Sequence, residues 1–309
     1  MSEPLLVLTG ATASGKSALA LAVAEQLGAE ILSMDSMAVY QRMDIGTAKP
    51  GAAERARVPH WLLDLVPPCE SFDTARWCEL AAERVAAVRA RGKRPLFVGG
   101  TPLYLMAFFK GIVPDVAALP ALRAQLKAQE QAQPGSLHAQ LLGQDPAAAA
   151  RIHRNDTKRL VRALEVFAVT GRPLSAQQDH WVQEGFRVPC KIFALDVPRE
   201  ALHARIKERT QRMLAAGLLD ETRAIRDSCG FSREAAAAIG YAECLRHLAT
   251  PFKDEEELRN RIRRSTHRLV RKQITWLRRL REIRWLPADT TAAALLALAR
   301  DAAVRPGES

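Results

Sequence analysis

An apolar run at residues 5–8 is followed by small and polar residues and then by a helix-forming stretch. The segment PLLVLTGATASGKSALALAVAEQLG thus predicts a buried strand, a glycine loop and a helix, in that order. Residues 30–33 read as a second strand, 72–91 as a helix with apolar positions at helical spacing, and 94–98 as a strand running into GGTPLYL. Strands and helices alternate, which predicts an α/β fold, a parallel sheet covered by helices. From about Pro114 the pattern changes. Residues 120–179 are rich in Ala, Leu, Gln and Arg, are interrupted by Pro134, Gly135 and Pro146, and show no strand pattern. We expect a helical insertion at 114–186 between two parts of one core, 1–113 and 187–309. CKIFALDV (190–197) brings the chain back to the sheet, helices follow to about Leu286, and the Ala-rich tail predicts a final helix.

One late helix carries two faces. Leu258, Ile262, Leu269, Gln273, Trp276, Leu280 and Ile283 recur at spacings near three and four and predict an inward stripe. Arg261, Arg264, Arg268, Arg271, Thr275 and Arg278 recur on another face. The formal charge is +11, and residues 259–284 hold eleven cations against the single acid Glu282. Nearly the whole excess lies in one segment, which points to a polyanion, and to nucleic acid in particular.

Gly10, Gly15, Lys16 and Ser17 fit G-x-x-x-x-G-K-[ST] without a mismatch. Glycines let the backbone turn its N–H groups toward a phosphate, Lys16 reaches the outer phosphate, and the Ser17 hydroxyl is placed for magnesium. A nucleoside triphosphate and an alkyl diphosphate offer the same terminal groups, so the motif alone leaves both open. Asp35 follows the apolar pair Ile31 and Leu32 near the end of the second strand. It could hold magnesium, cap a helix or accept a proton. Asp44 and Lys49 are expected to shape a loop, and Tyr40 and Tyr104 to belong to the core.

At 309 residues and 48% hydrophobic, the chain can bury a large core. No apolar run approaches the roughly 20 residues of a membrane span, and no signal peptide is visible. The five cysteines form no C-x-x-C pair, which argues against a structural zinc site or a disulfide framework. A reducing cytoplasm is expected, with the thiols buried.

GATASGKS, DSMAVYQRMDIGTAKP, GGTPLYL, NDTKRLVRALEV, AIGYAE and RKQITWLR occur in that order. Over nearly the whole chain these blocks resemble the tRNA dimethylallyltransferases, also called tRNA isopentenyltransferases. The resemblance implies a phosphate-loop NTPase-like core with a helical insertion that grips the anticodon arm. It implies transfer of a dimethylallyl group from dimethylallyl diphosphate to the exocyclic amine of the adenosine just 3′ of the anticodon, with Mg2+. It assigns general-base catalysis to Asp35, with Thr101 and Lys16 at the reacting groups. It places the diphosphate on Gly10, Ala11, Thr12, Ala13, Ser14, Gly15, Lys16 and Ser17, with Arg205 and Arg209 nearby and Ser17 on the metal. It places tRNA on Asp35, Ser36, Met37, Ala38, Thr101 and Arg123; on Lys158, Arg159, Leu160, Val161, Arg162 and Ala163; and on Arg264, Arg268, Arg271, Lys272, Gln273, Ile274, Thr275, Trp276, Leu277 and Arg278.

Three positions depart from the family pattern. Ala11 stands where proline is usual, Ser17 where threonine is common, and Ala38 where Gln is frequent, so one polar contact to tRNA is in doubt. No zinc-finger pattern is present, which under the resemblance points to a bacterial-type enzyme; a monomer is expected. The rival readings are an isopentenyltransferase that modifies AMP, a small-molecule or nucleoside kinase, and a non-catalytic RNA-binding protein with a nucleotide-sensing loop.

Overall fold

The computed structural model describes residues 3–111, 119–176 and 185–300. The chain divides into two compact units, Met1–Phe109 with Val188–Ser309, and Lys110–Arg187. The expected boundary at 113/114 falls outside the described residues, and so does the part of the expected tail helix beyond Arg300.

The first unit is built on six parallel strands in the order β3-β2-β4-β1-β5-β6. They are β1 (Leu5–Thr9), β2 (Ala29–Ser33), β3 (His60–Trp61), β4 (Arg94–Gly99), β5 (Cys190–Asp196) and β6 (Ile283–Pro287). β1 lies between β4 and β5, with Leu8 opposite Val98 on one side and Phe193 on the other. Its sequence LLVLT has no polar alternation because both faces are covered, as a central parallel strand requires. Helix α1 (Lys16–Leu27) follows β1, and α2 (Ala52–Arg57) precedes β3. Asp73 caps α3 (Thr74–Ala90) by accepting from the Arg76 N–H at 2.9 Å, and α4 (Pro102–Lys110) follows β4. Because the strands are parallel, the segments after β1, β2, β4 and β5 all emerge at the same carboxyl edge. In an open α/β sheet that edge is where ligands bind.

The second unit contains α5 (Pro120–Ala132), α6 (Ser136–Gln144), α7 (Pro146–Ala149) and α8 (Thr157–Thr170), and no strand among its described residues. Leu126, Leu137, Leu141, Leu160, Val161, Ala163 and Leu164 form its core. Glu165 is fully buried in α8 and bidentate to Arg123, at 2.6 and 2.8 Å. It also accepts from the Leu119 N–H and from Arg162, each at 2.9 Å. Burial alone would raise the Glu165 pKa, but these donors overcome it and hold the carboxyl near 2, below its ordinary 4.5. A depressed carboxyl stabilises the fold above its unfolded pKa and ceases to do so as it protonates. Between about pH 4.5 and about 2, therefore, the parent should lose stability that Glu165→Gln never had. Thermal melts across that range test this, and superimposable acid limbs would show that the cluster contributes nothing.

The first unit continues with α9 (Arg199–Ala215), α10 (Leu218–Ser228), α11 (Arg233–Ala236), α12 (Tyr241–Ala249), α13 (Glu255–Leu277) and, after β6, α14 (Ala292–Arg300). Three expectations need correction here. Helix α13 ends at Leu277, so Leu280 lies beyond it and Ile283 opens β6. The helical stripe does not continue through IRWLP, a short strand that buries Ile283 and Leu286 and exposes Arg284. Within α13 the inward residues are Leu258, Ile262, Val270, Gln273 and Leu277, whereas Leu269 is 36% exposed. The thiols are not uniformly buried: Cys69 and Cys229 are exposed, in a loop and at a helix end. Tyr40 and Tyr104 do join the core, Tyr104 stacking on Trp77 at 4.3 Å. No helix among the described residues is long and apolar enough to cross a membrane.

Candidate active site

At the carboxyl edge of β1, Gly10 and Gly15 hold φ values of 143° and 95°, which a side chain would strain. The chain thereby turns into the first helical residue, Lys16, whose ammonium donates to the Ala11 carbonyl at 3.2 Å. Ala13 also has positive φ. The buried Ser14 hydroxyl finds no partner among the described residues, and the Ser17 side chain is exposed beside it. Burial lowers the Lys16 pKa to about 8; Asp35 opposes that shift and Arg209 adds to it. Arg209 is itself lowered by burial, again opposed by Asp35. Two cations and one carboxylate therefore sense one another across a small space.

Arg205 and Arg209 lie on α9 and do different things. Arg205 donates to the Ser14 carbonyl at 2.8 Å and so braces the phosphate loop. Arg209 reaches the Thr47 carbonyl at 3.5 Å and lines the cavity with Lys16 and Asp35.

Asp35 lies two residues beyond β2, and its Oδ1 accepts from the Met37 N–H at 2.9 Å. No helix begins there, so the capping reading falls. Thr101 follows the glycine pair 99–100 at the end of β4. Its hydroxyl accepts from the Ser36 N–H at 3.1 Å, and its own N–H donates to the Met34 carbonyl at 3.3 Å. The turn bearing Thr101 is thus fastened to the loop bearing Asp35. A Cβ on Gly99 would fall 2.0 Å from the Met34 carbonyl oxygen, so this approach requires glycine.

These groups border a cavity of about 430 Å³. Its polar lining includes Thr12, Lys16, Arg209, Asp35, Ser36 and Thr101, and its apolar lining Ile206, Met213, Ile262, Leu269 and Trp276. A smaller cavity of about 130 Å³ is lined by Ser17, Ser33, Asp35 and Ala38 among others.

Comparison with known proteins identifies the family. The IPP transferase family model matches residues 38–280, and an isopentenyl transferase model matches 4–64. The chain belongs to the IPP transferase family. It is 46% identical over 294 residues to the tRNA dimethylallyltransferase of Anaeromyxobacter dehalogenans, covering 94% of this chain and 97% of that one. It is 45% identical over 287 residues to the tRNA dimethylallyltransferase of Geobacter metallireducens, covering 91% and 92%. Among solved structures it resembles the tRNA isopentenylpyrophosphate transferase of Bacillus halodurans, with 32% identity, a TM-score of 0.69 and coverage of 96% and 95%.

Within this IPP transferase fold, several residues expected at tRNA have other work. Leu160, Val161 and Ala163 pack inside the second unit, and Leu277 inside the first. Ala38 is 5% exposed. Ile274 packs against the sheet core, and Gln273 is buried with both ends of its amide bonded. Arg123 and Arg162 both serve Glu165. Lys158 and Arg159 stay exposed on α8, Arg264, Arg268, Arg271, Lys272 and Thr275 on α13, and Arg278 just past its end. Arg259 and Arg261 are paired with Glu255, Glu256 and Glu257 in the first turn of that helix. Arg278 faces Asp196 at 3.2 Å. Among the described residues no ion pair joins Arg264, Arg268 or Arg271 to an acid, so the cationic ridge contracts to these three; Lys272, also without an ion pair there, lines the cavity.

Two residues that sequence reasoning left unassigned hold the loop at 44–47. Glu221 accepts from the Asp44 N–H at 3.2 Å and the Ile45 N–H at 3.1 Å. The Tyr241 hydroxyl donates to Glu221 and accepts from the Gly46 N–H at 3.1 Å. The Tyr241 ring lies so close that a Cβ on Gly46 would come within 2.3 Å of it. The AIGYAE and DIGTAKP segments contain both sides of this contact. Lys49, 2% exposed, bonds Asp44 and Asp64 at 2.9 and 2.7 Å and fixes the same loop, as expected.

Proposed function

We propose that this protein transfers a dimethylallyl group from dimethylallyl diphosphate to the exocyclic amine of the adenosine 3′-adjacent to the anticodon of tRNA, releasing diphosphate. The carrying observation is the cavity, whose lining combines two cations suited to phosphate and a carboxylate and threonine with apolar side chains of the right character for a short prenyl chain. The named relatives in this family support the choice of tRNA over a free nucleotide.

Lys16 and Arg209 neutralise charge on the departing diphosphate as the allylic carbon–oxygen bond breaks. The adenine nitrogen forms the new bond to that carbon. Its lone pair is delocalised into the ring, so the amine is a poor nucleophile; as the bond to the allylic carbon forms, its N–H becomes acidic, and Asp35 takes that proton. Thr101, fastened to the Asp35 loop, holds the base beside it. The donor set also fits magnesium. Among the described residues no three His, Cys, Asp or Glu form a metal cluster. Ser17 would hold the ion, with Asp35 lining the same small cavity, an oxygen donor set of the kind magnesium takes. The bound ion would add positive charge at the leaving group.

We place the anticodon arm along Arg264, Arg268, Arg271 and Lys272, with Lys158 and Arg159 of the second unit as a further contact. The protein is proposed to act as a cytoplasmic monomer. Incubation with dimethylallyl diphosphate and either tRNA or AMP tests the function. Prenylated adenosine should appear in tRNA only. Prenylated AMP would select the free-nucleotide reading, and ATP consumption without prenyl transfer would select a kinase.

The ridge has its own test. Each phosphate bound by a cation releases counterions, so tRNA affinity should fall steeply with salt. Arg264→Gln, Arg268→Gln and Arg271→Gln together should flatten the log–log slope by roughly 0.7 to 0.9 for each phosphate that is no longer neutralised. The modified position should stay the same, because phosphate contacts position without reading bases. A variant slope equal to the parent's would leave the ridge a solvated face.

A further inference from the structure

Gln273 projects inward from α13 and is 7% exposed. Its Nε2 donates to the Gly100 carbonyl at 2.6 Å, and its Oε1 accepts from the Thr12 N–H at 2.9 Å. Thr12 belongs to the phosphate loop, and Gly100 opens the turn that carries Thr101. One amide therefore joins the loop that holds the leaving group to the turn beside the base. The approach is close enough that a Cβ on Gly100 would fall 2.6 Å from the Gln273 nitrogen and 2.9 Å from the Gly10 carbonyl oxygen. A glycine at 100 and an amide at 273 are thus matched to one another. The same helix lines the cavity through Leu269, Lys272 and Trp276 and exposes Arg268 and Arg271 away from it.

We propose that Gln273 is a positioning residue for prenyl transfer, a latch that sets the separation between the phosphate loop and the Thr101 turn. The proposal rests on the tRNA prenyl-transfer reading above. Gln273 borders the cavity, but both ends of its amide are taken by backbone groups of the two loops. It acts through Thr12 and Gly100, so its loss should appear in the chemical step rather than in binding. Only a group with both an acceptor and a donor at that depth serves both backbone partners. An alanine would leave two largely enclosed backbone groups unpaired and release the two loops from one another. Reacting atoms held on separate loops lose rate steeply when their separation drifts by an ångström.

The test compares the full-length parent with Gln273→Ala and Gln273→Glu, titrating dimethylallyl diphosphate and tRNA separately. Gln273→Ala should lower kcat about 10- to 100-fold while KM for each substrate stays within about threefold. Gln273→Glu keeps the acceptor for Thr12 but sets a carboxylate against the Gly100 carbonyl, so it should be at least as slow at about pH 8. As the pH falls toward about 6, the enclosed carboxyl protonates and regains a donor, so its activity relative to the parent should climb. The Gln273→Ala ratio should stay flat over the same range. Parent-level kcat in Gln273→Ala overturns the latch, and a rise confined to KM for tRNA would make Gln273 an RNA contact instead. A Gln273→Glu ratio that ignores pH also overturns it, and this measurement decides the matter if Gln273→Ala does not fold. A parent that prenylates nothing in tRNA refutes the substrate reading rather than the latch.

Discussion

Asp35→Asn should lower kcat by about 100-fold or more, the usual loss when a general base is removed. Asparagine keeps the shape of the side chain, and its carbonyl can still accept from the Met37 N–H that Asp35 Oδ1 now engages at 2.9 Å. The loop should therefore survive, and with it the Ser36–Thr101 bond that fastens the turn after β4. What the amide cannot do is take a proton from the adenine amine. The change also removes the one charge that raises the pKa of Lys16, which should weaken diphosphate binding slightly at neutral pH. The diagnostic pattern is a large fall in kcat with small changes in both KM values. Equal turnover in variant and parent would remove Asp35 from the proton transfer. A loss reversed by raising the magnesium concentration would make Asp35 a metal ligand instead.

Much of this site is legible in the sequence because its chemistry is local. The phosphate loop needs its glycines within six residues of one another, at φ values that other residues resist. Asp35 comes just after a strand, and any strand of a parallel sheet ends at the ligand-binding edge. Residues whose partners lie far along the chain are not legible in this way. Gln273 sits at helical spacing among apolar residues, so the pattern shows that it faces inward but not that Thr12 and Gly100 wait there. Tyr241 is 195 residues from Gly46, and Arg123 is 42 from Glu165. Arg123 reads as a surface cation because its carboxylate lies 42 residues away, and the i,i+3 spacing of Arg162 and Glu165 does not show that Glu165 is buried. Strand β6 escapes the sequence pattern for a related reason. It is five residues long, rich in side chains common to both structures, and continues a helical stripe by accident. The insertion shows the opposite behaviour: its helices are specified locally by caps such as Asp145 and Asp156, and the absence of a strand pattern is sufficient.

Lys16→Ala should raise KM for dimethylallyl diphosphate by about 10- to 100-fold, the usual range when a charge-assisted hydrogen bond is removed. Arg209 remains and limits the loss. Dependence on pH separates a true phosphate cation from a residue that only shapes the loop through its bond to Ala11. Burial brings the Lys16 pKa down to about 8, so the free enzyme loses this charge as pH rises through about 8. An anion binds the protonated form, and kcat/KM reports the free enzyme, so kcat/KM of the parent should decline above that pH. The bound diphosphate holds the proton on the lysine, so kcat should decline less over the same range. Lys16→Ala has no charge to lose, and this descending limb should be absent from its profile. Lys16→Arg stays charged throughout and should also lack it, though its longer, planar head will fit the cradle less well. The measurement is kcat/KM for dimethylallyl diphosphate at saturating tRNA, from about pH 7 to about pH 9. A descending limb shared by the parent and Lys16→Ala would assign that titration to another group and take Lys16 out of diphosphate binding.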